Sequence, residues 1–233
     1  DSSTSRGLGD VYKRQEYMVI IAPFAKQEVA LTLRGITNGH GDLGADTIRT
    51  VTIPHLALCL PLDSVSMLAS SLEMRIVKRG AAPLGGGEIF FRAPLIATLR
   101  PLNFVEPGRI RKIRGIASAV RVSPQMSNRM IDAARSVLNR YIPDLYLFSD
   151  VYRGDESGKS PGFAMSLVAT STTGAMHASE TTSLPGQTPE DVGLLTARSL
   201  LASIESGGCV DAMHQPCLLY TSDAADERSM VEL

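Results

Sequence analysis

From Glu28 to Arg34 apolar and polar residues alternate one for one, the period of a strand with one buried face. Gly35 and Asn38-Gly39 end that run with turn residues. Beyond Asp42 to Gly44 the period lengthens. Ile48, Val51, His55 and Leu58 recur at helical spacing, and Pro54 either kinks that helix or marks a late start. Two further strands, around Arg75 to Val77 and Glu88 to Arg92, flank a glycine-rich turn. The order strand, helix, strand, strand predicts a small layered α/β unit with helices on one face of a sheet.

After a loop from Asn103 to Gly108 the pattern starts again. Ile113 to Ala117 reads as a strand, and Ser123-Pro124 supplies an N-cap followed by proline at the first helical position. Met126, Met130, Ile131, Ala134, Val137, Leu138 and Tyr141 then share one helical face, and Pro143 stops the helix. Leu145 to Tyr152 and Phe163 to Thr170 read as strands. A third alternation, Ala175 to Ser179, closes a hairpin across Thr172-Thr173-Gly174. Thr188-Pro189-Glu190-Asp191 opens another helix with a cap, a proline and carboxylates at the positive end of its dipole. Val192, Leu195, Leu200, Leu201 and Ile204 should be buried on it, and Gly207-Gly208 ends it.

Composition adds boundaries. Of 233 residues 44% are apolar, enough for a core, and no apolar run approaches the roughly twenty residues that span a membrane. The net charge of −1 excludes nucleic-acid binding through overall basicity, so any RNA contact has to come from a local patch. Cys59, Cys209 and Cys217 lack paired spacing, which fits a reducing compartment. The four histidines form no Cys/His cluster of metal-ligand spacing. His55, on an apolar helix, reads as a core histidine. His177 and Glu180, three apart on a strand, face opposite sides and cannot share a metal.

Candidate chemistry concentrates in Lys78-Arg79 and Gly85-Gly86-Gly87. Three glycines in a row are useful where the chain needs unusual dihedrals or where something must approach the backbone closely. Bare amides beside Lys78 and Arg79 would suit a phosphate; a tight hairpin turn with incidental basic neighbours is the other reading. Arg109, Arg111, Lys112 and Arg114 form the dense basic cluster of the chain. They are either a strand edge guarded by charge or a contact to RNA phosphate. Gly158-Lys159-Ser160 imitates the end of a P-loop. The earlier glycine that motif needs is Arg153 here, and Pro161-Gly162 forbids the following helix, so the segment reads as an exposed basic hairpin loop carrying Lys159. With no Trp and few interleaved aromatics, base stacking is not indicated.

The spaced pattern Arg79-Gly80-x-x-Pro83-x-Gly85-Gly86-Gly87-x-Ile89 resembles the signature of the RNA 3'-terminal phosphate cyclase family. Ala22 to Lys26, Arg121 to Pro124, Asn128 to Asp132 and Ser157 to Gly162 are similar to one branch of it, the cyclase-like proteins of eukaryotic small-subunit ribosome assembly. The resemblance implies an α/β fold of layered sheet-and-helix repeat units with an inserted small α/β domain. Residues 16–109 would belong to the large domain, 110–182 to the insert, and 183–215 to a helix returning the chain to the large domain. Residues 1–15 and 216–233 resemble translated sequencing-adaptor read-through, and a chain so flanked is expected to be an internal fragment.

The enzymes of the family adenylate a histidine and convert an RNA 3'-phosphate to a 2',3'-cyclic phosphate with ATP. Here Gly35-Ile36-Thr37-Asn38 keeps the turn they use, but Leu43-Gly44 stands where they carry a proline pair. Val210 to Gln215 resembles a second nucleotide-binding stretch, with Met213 in place of its tyrosine. Their nucleophilic histidine is expected farther downstream, beyond this fragment, and none of the four histidines here, His214 included, sits in its motif. The departures that count are those in the nucleotide pocket. The resemblance therefore implies a non-catalytic scaffold without cofactor, acting in the nucleolus in 18S rRNA processing and small-subunit assembly. Its implied partners are a ribosome-assembly GTPase, the small-subunit processome and pre-rRNA, with no membrane. An active cyclase and a pre-rRNA endonuclease are the alternatives.

Overall fold

A computed structural model describes residues 18–19, 21–60, 72–96, 100–101 and 103–215. Both chain ends read above as adaptor-like, residues 1–15 and 216–233, lie outside the described residues. The first sheet comprises β1 (Val29–Gly35), β2 (Glu73–Lys78) and β3 (Gly87–Ala93), antiparallel in the order β1-β3-β2. Between β1 and β2 runs a helical segment. It consists of α1 (Ala45–Thr47), a π turn (Ile48–Thr52) and α2 (Ile53–Leu58). Pro54 lies in the first turn of α2, directly after the π turn, where its missing N–H costs least. Ile48, Ile53 and Leu56 from this segment pack on Met74, Ile89 and Phe91 of the sheet.

The second sheet has the order β5-β4-β6-β7, from β4 (Ile110–Val120), β5 (Leu145–Tyr152), β6 (Gly162–Ser171) and β7 (Met176–Thr182). The pair β4 and β5 is parallel and the other pairs are antiparallel. The parallel pair requires a crossover, supplied by α3 (Pro124–Leu138). Ser123 caps α3 by accepting the Gln125 N–H. The final helix, α4 (Pro189–Ser206), starts with a reciprocal capping box between Thr188 and Asp191 and ends at Gly207, whose φ is 72°.

Two expected core positions face solvent. Tyr141, 63% exposed, lies past the end of α3, which stops at Leu138 before the helical spacing could carry the ring inward. Leu195, 48% exposed, falls beside the stripe of α4 formed by Val192, Ala197 and Leu200.

That stripe also corrects the expected domain path. Val192, Ala197 and Leu200 share a core with Met130, Ile131 and Leu138 of α3 and with Ile113, Met165 and Leu167 of the second sheet. Helix α4 is thus packed with the residues read as the insert, rather than on the first sheet. The reason is its apolar face: α3 packs over β4 and β5, and α4 lies beside it over β6 and β7. On the opposite face, Val168 and Ala178 meet Val51 of the π turn. The helical segment therefore lies between the two sheets and joins them.

Candidate functional site

The signature turn sits at that joint. Strand β2 delivers Arg79 to the interior, where it is 1% exposed. Its guanidinium makes a bidentate pair with Asp46, Nη1 to Oδ2 at 2.6 Å and Nη2 to Oδ1 at 2.8 Å. Nε donates to Asp150 Oδ2 at 2.9 Å, Nη1 to Asn38 Oδ1 at 3.3 Å, and the Tyr152 ring lies 5.6 Å away. Burial alone would depress the Arg79 pKa, but the two carboxylates outweigh it and hold the guanidinium charged, above its ordinary value. Burial would likewise raise Asp46, and Arg79 outweighs it, keeping that carboxyl below the usual range. Planar, five-donor Arg suits such a site. Proposed from sequence as an anion ligand, Arg79 is instead spent on two protein carboxylates, one from each unit.

The glycines are spent in the same way. Gly85 and Gly86 have φ of 63° and 86°, and the Ala82-Pro83 bond between the basic pair and them is cis. What approaches this backbone closely is more backbone. Lys159 N–H donates to the Gly85 carbonyl at 2.8 Å, and Gly158 N–H to the Arg79 carbonyl at 2.5 Å. A Cβ on Gly158 would fall 2.2 Å from the Gly85 oxygen, and one on Gly80 would fall 2.3 Å from Gly87 N. From the other side Thr37 N–H donates to the Gly80 carbonyl at 2.8 Å. The segment read as an exposed hairpin loop is therefore a clasp: Ser157, Gly158 and Ser160 are buried and only Lys159 of the four is exposed. A cavity of about 20 Å³ remains at the joint, lined in part by Thr37, Asn38, Gly80, Ser118 and Phe163. That is room for one water molecule.

A second carboxylate crosses the joint. Glu180 of β7 accepts from Asn38 Nδ2 at 2.7 Å, Gly44 N at 3.1 Å and Thr47 Oγ1 at 2.5 Å. Desolvation and the nearby Asp46 outweigh these donors and push its pKa up to about 7. His177, on the opposite face of β7 as expected, contacts Ser203 and the Gly208 carbonyl. Asp211 receives the N–H groups of Ala178, Met213 and His214 and sits 2.7 Å from His214 Nδ1. His214 Nε2 in turn lies 3.0 Å from Thr52 Oγ1. All three side chains are buried, so the stretch from Val210 to Gln215 ties its turn to β7 and the π turn.

The basic residues do not assemble into one patch. Lys78 is half-buried opposite Glu88 on β3. Arg79 approaches the C-terminal end of β4 and β5, whereas Arg109, Arg111, Lys112 and Arg114 lie at the N-terminal end of β4. Eleven residues of strand separate those ends by roughly 30 Å. At the second end Arg114 pairs with Asp144 at 2.8 Å, and Arg109 and Arg111 are exposed. The edge-strand reading does not hold for β4, which is an inner strand with β5 and β6 on its two sides. Asp46 and Asp150 were not legible as site residues, while Asn38 and Glu180 were noted in the sequence only as part of a turn and as a strand residue. Asp46 left one signal, a carboxylate among the apolar positions of the first helix.

Residues 105–205 match the model of the insert domain of RNA 3'-terminal phosphate cyclase, a span that includes α4. Along nearly all of its length the chain is similar to cyclase-like members of the RNA 3'-terminal phosphate cyclase family. The chain is 45% identical over 220 residues to the rRNA processing protein rcl1 of Schizosaccharomyces pombe, covering 94% of this chain and 58% of that protein. It is 43% identical over 224 residues to the human RNA 3'-terminal phosphate cyclase-like protein, with the same 94% and 58% coverage. A probable cyclase-like protein of Dictyostelium discoideum is 40% identical over 249 residues, all of this chain and 64% of that protein. The chain thus spans about six-tenths of the length of these relatives.

Proposed function

We propose that this chain is part of a non-catalytic, cyclase-like scaffold acting in the nucleolus in 18S rRNA processing and small-subunit assembly, with a ribosome-assembly GTPase as partner. The observation that carries the reading is the use of the signature turn. Arg79 is neutralised by Asp46 and Asp150, and the Arg79 and Gly85 carbonyls accept from the Gly158 and Lys159 amides of the insert. A motif suited to cradling an anion here holds two units in a fixed relation, which is what a scaffold requires. Similarity to proteins named for rRNA processing supports the same direction.

The test uses protein made at the full length of its relatives, incubated with labelled ATP, with and without RNA bearing a 3'-phosphate. No covalent label, together with capture of a ribosome-assembly GTPase, is the expected outcome. Label on a histidine would make the protein a cyclase.

A further inference from the structure

Among the described residues, the face of the second sheet away from α3 and α4 is exposed along the first part of β5. Leu147 points to the α3 and α4 side, into the core with Ile113 and Leu167, and Ser149 reaches Ser127 of α3. Strand alternation therefore sends Tyr146 and Phe148 to the other side. Among the described residues the π turn covers that side over β6 and β7, and Arg79 meets Asp150 at the far end of β5. Tyr146 and Phe148 are 54% and 50% exposed, with ring centroids 4.4 Å apart in an edge-to-face contact. Register places Arg114 beside Tyr146 and Ile116 beside Phe148, and alternation adds Lys112 to the same face. Arg114, Lys112 and Arg111 all act on Asp144, so these cations share one end of the strand pair.

We propose that Tyr146 and Phe148, with Lys112 and Arg114, form a binding surface for single-stranded RNA. Two rings fixed on a sheet offer stacking area to unpaired bases of any sequence, and adjacent cations meet the phosphates. Charge selects this occupant over an apolar protein face. Lys112 and Arg114 share the face of the rings, and Arg109 and Arg111 lie at the same end of β4, with Asp144 already paired to Arg114. The basic cluster noted in the sequence thus gains aromatic partners from a strand more than thirty residues further on. This surface is separate from the signature turn. Neither adenylation nor capture of a GTPase reads it out, so its failure would leave the scaffold reading standing.

The test is fluorescence anisotropy of this chain with a labelled single-stranded oligoribonucleotide of about twelve nucleotides and with the matching duplex. Single strands should bind more tightly than the duplex. Tyr146→Ala and Phe148→Ala should each weaken binding about tenfold with an unchanged salt slope. Lys112→Gln should lower that slope by about 0.7. Tyr141→Ala, which removes an exposed ring elsewhere, should bind as the parent does. Photo-crosslinking of 4-thiouridine RNA to the unaltered chain should map to Leu145–Tyr152, a readout independent of how the variants fold. Absence of RNA binding, unchanged affinity in both ring variants, or crosslinks confined to other segments would overturn the proposal. So would loss of a protein partner, but not of RNA, on removing the rings.

Discussion

Replacing Arg79 by methionine separates a structural joint from an anion site. In the variant the Asp46 carboxylate, 2% exposed, loses its bidentate partner and stays buried. Removing one member of a buried pair costs about 3–5 kcal/mol, a large share of the roughly 5–15 kcal/mol that stabilises a typical domain. Asp150 contributes less, because its side chain is 36% exposed and water can replace the guanidinium; Asp150→Asn should cost about 1 kcal/mol. Pairing Arg79→Met with Asp46→Leu removes both charges and should recover part of the loss. The assay is urea unfolding followed by circular dichroism at 222 nm, because the chain has no Trp. A solvated phosphate ligand predicts a change within about 0.5 kcal/mol. An unchanged midpoint in Arg79→Met, or a double variant no more stable than the single one, would refute the account of this joint.

Gly158→Ala and Gly80→Ala should each destabilise by more than about 2 kcal/mol, since the new Cβ meets backbone 2.2–2.3 Å away. Gly174→Ala, with φ of 92° and open space around it, should cost about 1 kcal/mol in the same urea titration. Two buried groups give opposing pH dependences. Glu180, raised from 4.5 to about 7, binds more protons folded than unfolded, so its contribution is lost as pH rises through that window. Among the described residues His55 has no hydrogen-bond partner on either ring nitrogen, and burial lowers its pKa from 6.5 to about 4. Its contribution is lost as pH falls through that window. Stability of the parent should therefore vary little between about pH 4.5 and 6.5, whereas Glu180→Gln should rise across it by up to about 3 kcal/mol; a flat variant would contradict the assignment. Thr188→Ala should cost about 1 kcal/mol through loss of the α4 capping box, read as a lower thermal midpoint.

Where a structural feature depends on neighbours in sequence, residue pattern was sufficient. The alternation of β1, the Ser123-Pro124 and Thr188-Pro189 caps and the Gly207 stop each act within a turn or two of chain, so their local energies point to one conformation. The face of α3 was legible up to Leu138 and not at Tyr141, because helical spacing says nothing about where the last turn unwinds. Arg79 shows the other case. Its partners Asp46, Asp150 and Asn38 are 33, 71 and 41 residues away, and nothing local distinguishes a buried guanidinium from one awaiting phosphate. The same holds for Gly85, whose carbonyl is met by Lys159, and for the ring pair, which was visible as two strand residues but not as an open surface. By itself the sequence determined the elements, their ends and the family resemblance; tertiary structure alone decided which charges neutralise one another and which faces stay open. Those outcomes depend on desolvation and on contacts between distant segments, and both come into being only when the two sheets close on the helix between them.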